Sequence, residues 1–65
     1  MRTINEEVLI VGLIRGWMQH DHPGHDALGE EAVEEALRAY AGGASLFEAV
    51  AAARAHVEIS LAEAA

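Results

Sequence analysis

Two breaks divide this chain, and they constrain its fold more than any other feature. The first lies within His20-Asp21-His22-Pro23-Gly24-His25-Asp26. Pro-Gly marks a turn there, and proline pushes the residue before it out of helical geometry. The second is Gly42-Gly43, followed at once by Ser45-Leu46-Phe47-Glu48. Glycine takes the left-handed position after a helix without steric cost. Ser45 with Glu48 then matches a capping box, in which side chain and backbone bond reciprocally to start a helix. Three stretches of helical length remain.

In the first stretch Thr3 with Glu6 matches another capping box, and Asn5 is a rival N-cap. Glu6 and Glu7 sit where the helix dipole favours acids. The apolar residues that follow do not alternate, which argues against a half-buried strand. Ile10, Ile14, Trp17 and Met18 share a helical face, as do Val11, Ile14 and Met18. The richness in β-branched residues leaves a buried strand as the alternative. A helix over 4–19 would be apolar around much of its girth, so it is expected to be central and the most buried element. The second helix is expected over 27–41, with Leu28, Val33, Ala36, Leu37 and Tyr40 as its stripe. Asp26 is placed to cap it, and Gly29 weakens its start. The third is expected over 46–62, with a stripe of Leu46, Val50, Ala53, Val57 and Leu61 and Phe47 beside it. The expected fold is therefore all-α, a single three-helix domain. Helices 2 and 3 would form a tight hairpin against an apolar helix 1.

Sixty-five residues bury only about 60% of the surface the unfolded chain exposes. There is no cysteine to staple the chain or to ligate a metal as thiolate, and the lack of cysteine fits a cytoplasmic location. Trp17, Tyr40 and Phe47 are the only aromatics, so the core is thin, and burial against a partner, including a second copy in a homodimer, would compensate. Gly12 and Gly16 form a small-xxx-small patch. An interior glycine costs about 1 kcal/mol relative to alanine, so two of them imply a packing reason. The reason expected is a helix seated within the chain; the alternative is one seated across a dimer. The apolar run Val8 to Ile14 is far short of the roughly 18–20 residues that span a bilayer. It does not read as a signal peptide either, since Arg2 stands alone and Glu6 and Glu7 precede the run. No membrane association is expected.

Eleven acids against four bases give a formal charge of −7, and there is no lysine. Direct binding to nucleic acid is disfavoured, because affinity for phosphate comes from Lys and Arg. Such a chain is steered toward basic surfaces, unless the charge serves only to keep it soluble. On the second helix Glu30 and Glu34, and Glu31 and Glu35, are like-charge i,i+4 pairs. Each pair destabilises a helix by about 0.2–0.5 kcal/mol. They step about 6 Å along the axis, against about 3.4 Å for phosphates along one DNA strand. The match is in sign and charge density. Asp21 and Asp26 could extend this surface; the alternative is a solvated helix face.

His20, His22 and His25, with Asp21 and Asp26, are the candidate metal ligands, since zinc accepts imidazole and carboxylate. The stretch His20-Asp21-His22-Pro23-Gly24 resembles the His-Asp-rich metal motifs of phosphodiesterases and metallo-hydrolases over those few residues. Ligands so close in sequence compete for the same geometry, and such enzymes gather theirs from a much larger fold. The expectation is no metal and no cofactor. The helix–turn–helix outline of the second and third helices does not make a DNA reader, because the third helix offers only Arg54 among its bases. No nucleophile–base pair, phosphate loop or apolar carboxylate dyad can be assembled, so no enzyme is expected.

In size, acidity and lack of catalytic equipment the chain resembles small phage or mobile-element inhibitors. Anti-CRISPR proteins are the nearest class, especially acidic ones that imitate DNA. The resemblance is one of overall character, without a shared motif, and transfers no residue roles. It implies occlusion of a basic nucleic-acid channel or PAM-reading surface on a Cas effector complex. The expected function is thus an acidic binding protein that blocks a basic surface of a larger partner. The alternative is a helical dimerisation or adaptor module, such as an antitoxin-like regulatory subunit.

Overall fold

A computed structural model describes residues 5–64, and it contains three helices: α1 (Glu6–Asp21), α2 (Asp26–Ala41) and α3 (Leu46–Ala64). There is no strand among the described residues. Successive helices run antiparallel, as the pairs Glu6–Tyr40, Arg15–Glu30 and Glu31–His56 require, and α2 with α3 makes the most extensive contact of the three pairs. The hairpin expected from Gly42-Gly43 is present, packed against α1.

The helix ends follow from single residues. Asn5 caps α1, its Oδ1 accepting from the amides of Glu7 (3.0 Å) and Val8 (3.4 Å). Thr3, the other capping candidate, lies outside the described residues. At the far end the His22 amide donates to the Met18 carbonyl at 2.9 Å, closing the helix just before Pro23. Alpha2 ends in a Schellman turn. Gly43 takes φ 109°. Its amide donates to Tyr40 O, and the Ala44 amide donates to Ala39 O. The capping box at α3 forms as expected: the Glu48 amide donates to Ser45 Oγ (3.1 Å), and the Ser45 amide donates to Glu48 Oε1 (2.9 Å).

One expected cap is corrected. Asp26 does not cap α2; it is the first helical residue, and His25 holds the cap position without a side-chain bond. Gly24 at φ 88° turns the chain into the helix one residue early. Asp26 therefore serves the dipole of the first turn rather than a backbone amide.

The core is made of Ile10, Ile14 and Met18 from α1, Ala32, Val33 and Ala36 from α2, and Ala49, Ala53 and Val57 from α3. Four of these nine are alanines. Trp17, Leu28, Leu37, Tyr40, Leu46, Val50 and Leu61 border it, half-buried. Gly29 is buried beneath Met18, whose Cγ would stand 3.5 Å from an added Cβ. At the open end of the bundle, Tyr40 donates from its hydroxyl to Glu6 Oε1 (2.5 Å), joining the start of α1 to the end of α2.

Two burial expectations are also corrected. Alpha1 is not buried around its girth: it turns one arc inward and leaves Val8, Leu9 and Leu13 at 65%, 44% and 51% exposure. Only two helices are available to cover a third, so half of it stays uncovered. Phe47 is 83% exposed. It sits in the first turn of α3 while Leu46, Ala49 and Val50 take the inward positions.

Candidate functional site

The acidic stripe of α2 is a consequence of helical period. At about 100° per residue, Ala32, Val33 and Ala36 occupy the inward arc. Glu30, Glu31, Glu34 and Glu35 fall on the opposite, outward arc, with Arg38 among them. Glu30, Glu31 and Glu34 are exposed and Glu35 is half-buried.

The stripe is not a row of bare charges. Arg15 of α1 donates to Glu30 Oε1 at 3.3 Å. Arg38 donates to Glu35 Oε2 at 2.7 Å, one turn along the same helix. His56 of α3 brings its Nε2 to 3.5 Å from Glu31 Oε1, without hydrogen-bond geometry. Among the described residues no cation pairs with Glu34. Exposed pairs of this kind contribute about 0–1 kcal/mol, so they trim the field of the stripe without fixing its side chains. Only the Glu35–Arg38 pair is legible in the sequence, from its i,i+3 spacing. Arg15 and His56 arrive from α1 and α3 and need the tertiary fold to be seen.

Asp26 joins the stripe at its first turn, where it shares a shallow depression with Arg15, Gln19, Gly29 and Glu30. Asp21 is the last residue of α1. It accepts from or pairs with His20 Nδ1 at 2.7 Å, and this bond, with the nearby charges of His22 and Arg54, holds its carboxyl below the ordinary 3.8.

No family model, curated protein or solved structure matches this chain. The site therefore rests on its own geometry.

The three histidines that could have held a metal go separate ways. His20 pairs with Asp21, and His25 takes the cap position of α2. His22 meets the edge of the Trp17 ring at 5.0 Å between centroids. Among the described residues no three His, Asp or Glu side chains gather to hold a metal ion. Trp17 is covered on another side by Arg54, whose guanidinium carbon lies 4.9 Å from the ring centroid. No helix among the described residues is long and apolar enough to cross a membrane.

Gly12 and Gly16 do not seat a helix within the chain. Both are exposed, and apart from the adjoining residues and backbone of α1 itself no described atom lies within 4 Å of a Cβ built at either position. Between α1 and α2 runs an open groove of about 370 Å³, lined by Val8, Val11, Gly12 and Leu37 with Glu7 and Arg15 at its two ends.

Proposed function

We propose that the protein is a non-enzymatic binding module. The outer face of α2 would occlude a basic, nucleic-acid-binding surface of a larger protein by presenting carboxylates where that surface expects phosphates. An anti-CRISPR inhibitor acting on a Cas effector complex is the specific form of this reading. The observation that carries it is the placement of Glu30, Glu31, Glu34 and Glu35 on one outward arc, with Asp26 at its start. Their intrachain cations are held by weak surface pairs, so an incoming Arg or Lys can compete for the same carboxylates.

The test is competition. Cas effector complexes and other basic nucleic-acid-binding proteins are offered a labelled DNA duplex, with and without this protein, across a salt series. Wild type should displace DNA from its target, and less well as salt rises. Changing Glu30, Glu31, Glu34 and Glu35 together to Gln keeps helix propensity nearly constant and relieves the i,i+4 repulsion. That variant should stay folded yet compete poorly, with slower association and a flatter salt dependence. Equal competition by the variant would remove the reading.

The exposed apolar arc of α1 favours a second reading, a dimerisation or adaptor module. That reading expects the four-Gln variant to bind normally and substitutions at Val8, Leu9 or Leu13 to abolish binding.

A further inference from the structure

We draw no further inference here: the strongest candidate, the exposed aliphatic arc of α1 formed by Val8, Leu9 and Leu13 beside the groove that α1 shares with α2, stands open among the described residues, and nothing in the structure shows what covers it.

Discussion

At the scale of residues, two or three side chains set where each helix begins. The Ser45–Glu48 box is the best defined. Ser45→Ala removes the acceptor for the Glu48 amide and should cost about 1 kcal/mol. In a domain of this size that is a fall in melting temperature of about 4–8 °C, read by thermal circular dichroism. The Ser45 amide and then its hydroxyl hold the Glu48 carboxyl below its ordinary 4.5. A depressed carboxyl adds stability above its unfolded value, and the gain is lost as pH falls through the lower folded value. Glu48→Gln keeps an acceptor oxygen for the Ser45 amide but not the charge. Its melting point should therefore decline less steeply than wild type below pH 4.5. Parallel acid limbs would show that the charge contributes nothing there. Residue-level signals were legible where donor and acceptor are close in sequence, as at Ser45 and Gly43. They failed at Asp26, because whether the chain enters a helix one residue early depends on the turn conformation at Gly24.

At the scale of elements, the period of apolar residues was enough to place all three helices. It was not enough to say how much of each is covered. Alpha1 looks buried all round because its sequence is apolar all round, but coverage depends on how many neighbours pack on it, and there are two. The seam between α2 and α3 carries the opposite lesson. Its small residues look like weak core material, yet Ala36, Ala49 and Ala53 are fully buried. Helices that meet through alanine approach closely and leave no slack. Ala53→Leu should therefore overpack the seam and cost about 1–3 kcal/mol, despite adding apolar surface. Urea unfolding measures this directly, and a variant as stable as wild type would mean that the hairpin yields more than its packing suggests. The acidic stripe was legible in the same way as the helices, by period. Its pairing across helices was not, since Arg15 is distant in sequence from the Glu30 carboxylate it approaches.

At the scale of the whole molecule, a formal charge of −7 on so small a domain works against its own compactness. The ion pairs that oppose this are few and exposed. Screening weakens both, and the unbalanced repulsion is the larger sum. The melting temperature should consequently rise as sodium chloride is raised from low salt to about 0.1 M and beyond, as the Debye length falls to roughly 10 Å and less. A melting point that falls with salt would mean that the pairs at Glu30 and Glu35 outweigh the field of all eleven acids.

Trp17 is the sole tryptophan of the chain, and it is held between α1 and α3, with the Arg54 cation near its ring and His22 at its edge. The protein thus carries an intrinsic optical reporter. Indole emission responds to a nearby cation and to imidazole protonation, so a change in wavelength or yield would register the docking of α1 on α3 without any label. Trp17 stands one turn from exposed Leu13, at the border of the exposed arc of α1, and on a different helix from the stripe of α2. Loosening of the bundle could then be followed while the α2 stripe is engaged.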